Sequence, residues 1–223
     1  MTKNEYIIKE KEKIERKWMK PQTFKAYQNY WIPEEIVKQA TKVYSFGVHR
    51  DVRFEQRLCL DNNTLEIKCY DPTPDTVKFF QEDFMFKQNM TYYPLAYAEE
   101  NGYMNFYYDH NAPEKCYSLL PLWEQSDNIK VNTTNLKSIY DEHGPCDIIK
   151  ADVEGVWKSM CREVIDHKLD FKVFAVEFEL ALEDHEQALK DMSSLCEEFT
   201  DLGYKVHLNR PRNKAISEAI IVK

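Results

Sequence analysis

Three places along the chain concentrate groups that could do chemistry. The first is Lys150-Ala151-Asp152-Val153-Glu154-Gly155, where two carboxylates flank one residue at the end of an apolar run. Read as a continuing strand, Asp152 and Glu154 share a side. Like charges this close need a cation, a metal ion or a proton between them. The plainer reading is a solvated loop, with Glu154 a first-turn charge of the next helix. The second place is Ser45-Phe46-Gly47-Val48-His49, followed 24 residues after Gly47 by Asp71. A glycine at a strand end lets the backbone approach a ligand, and an acidic residue about 20 positions on is the expected acceptor for ribose hydroxyls. A tight turn and an Asp-Pro turn are the plainer alternatives. G-x-G-x-x-G is incomplete, which disfavours a pyrophosphate. The third place is Glu177 and Glu179, which share one face of an otherwise apolar run. They read as metal or substrate ligands, or as half of a buried salt bridge. Of the histidines, His49 alone sits in a strand-end loop and is a candidate base. No Ser-His-Asp order, nucleophile elbow or P-loop is visible.

These groups need elements to hold them, and the chain alternates strand-like and helix-like stretches. Strands are expected at 42–47, 65–70, 91–98, 104–108, 146–151, 171–180, 204–208 and 215–222. Helices are expected at 51–60, from Pro74 to about Phe86 with Thr73 as N-cap, and from Asn135 to about His143. Two more are expected at 155–165 and 184–200, the latter burying Ala188, Met192, Leu195 and Phe199 and stopped by Gly203. Strand–helix alternation argues for a parallel sheet covered on both faces, closed by a C-terminal hairpin through 209–214. Ligands on such a sheet bind beyond the carboxyl ends of the strands. The stretch 109–134, with Pro113 and Pro121, reads as a long loop of the kind that forms lids. The first forty residues read as helical. Ile7, Ile14 and Trp18 form one apolar stripe, and a second helix carries Pro33 at its first position.

Composition narrows the function classes. The chain has 223 residues, 43% of them apolar and 30% charged, with a formal net charge of −8. That balance argues against nucleic acid and against an anionic membrane surface as partners. No apolar run approaches the roughly 20 residues of a membrane span, and the opening residues are too charged for a secretory signal. Six cysteines show no metal-binding spacing. They are expected to be reduced thiols, which fits a cytoplasmic protein.

Taken together in order, VYSFGVHRDVRFE, CYDPTP, DIIKADVEG and FAVEFE resemble the FkbM-type methyltransferases, a branch of the class I S-adenosylmethionine-dependent fold. Asp71-Pro72-Thr73-Pro74 matches that family's D-P-T-P turn, and Lys150, Asp152, Glu154 and Gly155 match its K-x-D-x-E-G motif. The likeness covers roughly residues 28–222. It implies a Rossmann-like, doubly wound α/β fold: a mostly parallel seven-stranded sheet with a C-terminal antiparallel hairpin, preceded by N-terminal helices. Residues 1–40 would be a helical extension and 41–223 the methyltransferase domain. Two positions depart from the family pattern. His49 stands where a second glycine is expected, and Glu179 stands where a histidine is common.

The resemblance also implies roles. Ser45, Phe46, Gly47 and Val48 pass under the methionine part of S-adenosylmethionine. Asp71 with Pro72 holds the ribose, Leu95, Ala96 and Tyr97 border the adenine, and Asp152 faces the amino acid end and the acceptor. Methyl transfer to a hydroxyl of a sugar, glycan or similar small molecule needs a base or a metal to lower the hydroxyl pKa. Asp152 is the first candidate, supported by Glu154, with His49 as alternative base. Asp152, Glu177 and Glu179 are the candidate ligands for Mn²⁺ or Mg²⁺. Such a chain would work as a domain of, or partner to, other glycan-modifying enzymes. Two other readings stay open: a glycan-binding or scaffold module that keeps the fold without turnover, and a nicotinamide-dependent oxidoreductase.

Overall fold

A computed structural model describes residues 9, 12, 13, 17, 18, 23–83, 89–109, 116–122, 126–180, 184–209 and 216–223. A hairpin of β1 (Lys25–Tyr27) and β2 (Tyr30–Ile32) leads through helix α1 (Glu34–Gln39) into β3 (Lys42–Phe46). Then follow α2 (Arg53–Asp61), β4 (Glu66–Tyr70), α3 (Pro74–Lys78) running into a π-type turn at Phe79–Asp83, and β5 (Met90–Tyr93). A second group of strands is inserted next: β6 (Ala96–Tyr97), β7 (Gly102–Asp109), β8 (Tyr117–Ser118) and β9 (Ser126–Thr134). The chain returns through α4 (Leu136–His143), β10 (Ile148–Ala151), α5 (Trp157–Asp166), β11 (Val173–Glu179), α6 (His185–Asp201), β12 (Lys205–Leu208) and β13 (Ile216–Val222).

Seven strands form one sheet in the order β12–β13–β11–β10–β3–β4–β5. Strands β11, β10, β3, β4 and β5 run parallel, and β13 is antiparallel to both neighbours. This is the expected Rossmann-like, doubly wound architecture with its C-terminal hairpin. The central strands are apolar throughout because both faces are covered. Tyr44, Phe46, Ile149, Phe174 and Val176 point to the core shared with α4, α5 and α6. Val43, Ile67, Ile148, Val173 and Ala175 point to the opposite core, shared with the hairpin, α1 and α2. The chain builds β3, β4 and β5 outward to one side and later β10 and β11 to the other. The order therefore reverses between β3 and β10, where a crevice must open.

Several expectations need correction. Residues 25–32 form a hairpin, not a helix, and Tyr27, Tyr30 and Ile32 are buried in the same core as β3 and β4. Pro33 is the N-cap of α1 rather than its first residue. Thr73 occupies the N-cap of α3 but makes no side-chain cap bond, because Asp71 already serves that turn. The stretch 109–134 is not one long loop. Its described part supplies β8 and the nine-residue β9, which pairs along the whole of β7. SDNIKVNTT has only Ile129 and Val131 as apolar alternation, too little to read alone, and β7 completes it. The expected strand 91–98 is split between two sheets, with β6 joining β9. Asn135 caps α4 as expected, its side chain accepting from the Ser138 N–H at 2.8 Å. The helix expected around Ile7 and Ile14, the end of the helix expected to reach Phe86, and the connector 210–215 lie outside the described residues.

Among the described residues no helix is long and apolar enough to cross a membrane. No disulfide joins the six cysteines, five of which are buried.

Candidate functional site

At the β3/β10 crevice the two strand tips touch. Asp152 N–H donates to Phe46 O at 3.3 Å, and Gly47 N–H donates to Tyr70 O at 3.0 Å, so β3 is stitched to both neighbours just past its end. Gly47 has φ +70, and a Cβ there would lie 1.6 Å from the Asp152 carbonyl oxygen. Only glycine permits this approach.

The crossing opens a cleft of about 910 Å³, counting its mouth. Phe46, Gly47 and His49 line it from β3, Asp71, Pro72 and Thr73 from β4, and Leu95, Ala96 and Tyr97 from the link into the inserted sheet. Asp152, Val153, Glu154 and Val156 close the opposite wall. The structure thus brings together at one cleft most residues singled out in the sequence. Among the expected cofactor-binding residues, Ser45 and Val48 are the exceptions: both are buried away from it, and Ser45 donates its hydroxyl to Glu55. Alternation decides this, since Phe46 faces the α4–α6 side and Ser45 the other.

Asp71 is 5% exposed, and both its oxygens accept backbone N–H groups, from His49 at 2.7 Å and from Thr73 at 2.8 Å. It is at once the Asp-Pro turn anchor and a wall of the cleft. Each oxygen keeps a second lone pair for a ligand hydroxyl. His49 takes φ +45, the left-handed region where a glycine would be at ease.

The β10 side is charged. Asp152 and Glu154 both line the cleft, but not through strand alternation. The strand ends at Ala151, and Glu154 (φ +45) and Gly155 (φ +95) form a turn. Glu179, 3% exposed, holds that turn by accepting the Glu154 N–H at 3.0 Å and the Gly155 N–H at 3.3 Å. Ser118 of the inserted sheet donates to Glu154 O at 2.6 Å. Burial and the neighbouring Asp152 push the Glu154 carboxyl up to about 7. Burial and Asp152 push Glu177 up to about 9, and burial with Glu154 and Asp152 holds Glu179 well above the usual range. Glu177 and Glu179 do not line the cleft; they lie behind Asp152. One oxygen from each of Asp152, Glu177 and Glu179 falls within 4.8 Å of the others.

Among the described residues, Lys150 is the buried cation of this region. Its buried ammonium donates to Gly47 O at 2.6 Å, to Phe46 O at 3.1 Å and to the Asp152 carboxylate at 3.3 Å. Burial works against its charge, yet Asp152, Glu55 and Glu177 more than offset that and hold its pKa above the ordinary value. The motif match included Lys150 but gave no reason for it. Glu55 and Glu218 went unread; Glu218 is a lone charge in an apolar run, whereas Glu55 sits between Arg53 and Arg57 and carries no such signal. Glu218 faces Glu177 directly across β11 and β13. Tyr30 had no sequence signal, because it arrives on a hairpin. The cleft's outer wall, with Phe106, Cys116, Tyr117 and Leu119, was also unread, since it comes from the inserted sheet.

No family model matches the chain, and no curated protein matches it by sequence. Solved structures align with it. The fibrillarin pre-rRNA processing protein of Methanococcus jannaschii aligns with a TM-score of 0.50 at 12% identity, over 83% of this chain and 67% of that one. The precorrin-6y C5,15-methyltransferase of Geobacter metallireducens GS-15 gives 0.47 at 10% identity, over 93% and 96%. Human N-acetylserotonin methyltransferase, solved in complex with SAM, gives 0.42 at 11% identity, over 85% and 51%. At 12% identity the fibrillarin alignment is a likeness of fold alone.

Proposed function

We propose that the chain is an S-adenosylmethionine-dependent O-methyltransferase of the FkbM type, acting on a hydroxyl of a sugar, glycan or similar small molecule. One observation carries the reading: Asp71 and Asp152 border a single cleft at the reversal point of the sheet, with the Gly47 turn between them. The cofactor supplies an electrophilic methyl group on a sulfonium. Asp71 is preorganised by its two N–H donors to accept from ribose hydroxyls. Leu95, Ala96, Tyr97 and Val153 offer the apolar walls an adenine needs. Asp152 stands where the positive methionine end would lie.

Transfer forms one bond from the acceptor oxygen to the methyl carbon and breaks the sulfur–carbon bond, leaving a neutral thioether. The hydroxyl proton must go to a base. Glu154, beside Asp152 on the cleft wall and poised near 7, meets the need for a base that accepts a proton at neutral pH. Asp152, whose carboxylate accepts from Lys150, orients the acceptor. The Phe106–Tyr117 stack, with ring centroids 5.3 Å apart, offers a platform for a sugar ring at the cleft mouth.

Calorimetry with S-adenosylhomocysteine tests the reading: one molecule should bind per chain, and NAD should not. A folded protein that binds NAD instead, or neither, overturns it. Incubation with methyl-labelled cofactor and a panel of glycans should then label one acceptor class.

A further inference from the structure

We infer that Asp152, Glu177 and Glu179 hold one hard divalent cation, magnesium or manganese, immediately behind the cleft wall, with the Tyr30 hydroxyl positioned to bind a water on that ion. The inference goes beyond the methyl-transfer reading and does not depend on it.

Three observations converge. The first is geometric. The three carboxylates come from two adjacent parallel strand tips, and one oxygen of each lies within 4.8 Å of the others, close enough that a small side-chain adjustment brings all three to the roughly 2.1 Å ligand distance of a single ion. The donor set is all oxygen, which selects magnesium, calcium or manganese over zinc or copper. The second is the charge balance. Asp152, Glu154, Glu177 and Glu179 gather here, and among the described residues the buried cation that faces them is Lys150. Lys150 is already committed to two carbonyls and to Asp152, so it does not reach the rest. The third comes from another part of the chain. Tyr30, 2% exposed, is carried by the β1–β2 hairpin onto this face of the sheet, and its hydroxyl has no hydrogen-bond partner. The charges that act most strongly on that hydroxyl are Asp152, Glu177, Glu218 and Glu179. A buried phenol left unsatisfied beside carboxylates marks a place for a bound water or ion. Glu179 also accepts the Glu154 and Gly155 N–H groups, so an ion here would brace the turn that lines the cleft.

The test is equilibrium dialysis of the full chain with Mn²⁺ at pH 7.5, with thermal unfolding in parallel. One saturable Mn²⁺ should bind and raise the melting temperature. Glu177→Gln should weaken binding at least a hundredfold while remaining folded, since it removes a like charge. Tyr30→Phe, which loses only the hydroxyl, should weaken it about tenfold. Asp141→Asn, on the exposed face of α4, should change nothing. Absence of saturable binding, or full affinity in Glu177→Gln, overturns the inference. S-adenosylhomocysteine titrated into the same samples separates the two readings. Its binding without Mn²⁺ binding sinks the ion alone, and Mn²⁺ binding without it sinks methyl transfer alone.

Discussion

Asp71 and Asp152 stand at equivalent places, each just past the tip of a parallel strand and each on the same cleft, yet their surroundings are opposite. Asp71 is satisfied by two backbone N–H groups of its own turn and the neighbouring loop. Asp152 faces Lys150 on one side and Glu154, Glu177 and Glu179 on the other. The first arrangement is complete without any ligand and only presents spare lone pairs. The second crowds carboxylates that lack enough fixed counter-charge and so take up protons in the folded state. Preorganisation of one wall thus comes from main-chain geometry, and that of the other from electrostatics. The two walls should respond differently to pH and to mutation.

The largest expected effect is on the charged wall. Lys150→Met leaves Asp152, Glu55 and Glu177 without their buried counter-charge, at a cost of about 3–5 kcal/mol at pH 8. The sign with pH follows from the carboxylates. Their folded pKa values already lie above those of the unfolded chain, at about 7 for Glu154 and about 9 for Glu177. The folded state therefore binds more protons than the unfolded one across this window, and stability falls as pH rises from about 5 to 9. Removing Lys150 lifts the same pKa values further, so the variant's deficit should shrink toward pH 5. Urea unfolding of both proteins at pH 5, 7 and 9 measures this. A deficit independent of pH would show that Lys150 acts by packing, and the contrast between the walls would fail.

Gly47→Ala tests the seam between them. The new methyl would meet the Asp152 carbonyl oxygen 1.6 Å away in a backbone with φ +70. No rotamer change relieves this, and strain plus overpacking come to roughly 3 kcal/mol. Binding of S-adenosylhomocysteine should fall with stability, because the tips of β3 and β10 must part. An alanine variant with wild-type stability would mean that the two walls are not locked together there.

Why one wall was legible in the sequence and the other only partly follows from the same contrast. The β4 wall is local. Gly47, Asp71 and the Asp-Pro turn lie within one strand–helix–strand unit, where spacing along the chain translates directly into spacing in space. The apolar periods of β3, β4, β10 and β11 likewise gave the parallel sheet. The charged wall is assembled from distant segments. Lys150 and Asp152 were visible as a motif, but Glu55 arrives on α2, Glu218 on β13 and Tyr30 on the hairpin, each set in place only by packing. The inserted sheet failed for a related reason. β9 is polar on one face and short of apolar residues on the other, and its strand character comes from pairing with β7. A long-range partner leaves little trace in local spacing.

On the main-chain wall the effects should be smaller and insensitive to charge. Asp71→Ala frees the His49 and Thr73 N–H groups and removes the proposed ribose acceptor, which should lower both stability and S-adenosylhomocysteine affinity by about 1–3 kcal/mol. Unchanged affinity in thermal and calorimetric titrations would remove Asp71 from the site.

The smallest effect is expected at His49, and it separates conformation from chemistry on that wall. Its φ of +45 costs a non-glycine residue about 1 kcal/mol, which a glycine would not spend. Only its backbone N–H is used in holding Asp71, and any residue but proline keeps that bond. His49→Gly should therefore stabilise the protein by up to about 1 kcal/mol, offset in part by the entropy of a freer unfolded chain. Ligand affinity should stay within about threefold. If the imidazole is only a wall of the cleft, turnover follows affinity, and the pH profile of the variant matches that of the natural protein. If turnover drops while stability and S-adenosylhomocysteine binding hold, the proton passes through His49 rather than Glu154. The neutral wall would then carry the chemistry, and the division of labour between the two aspartates would have to be redrawn.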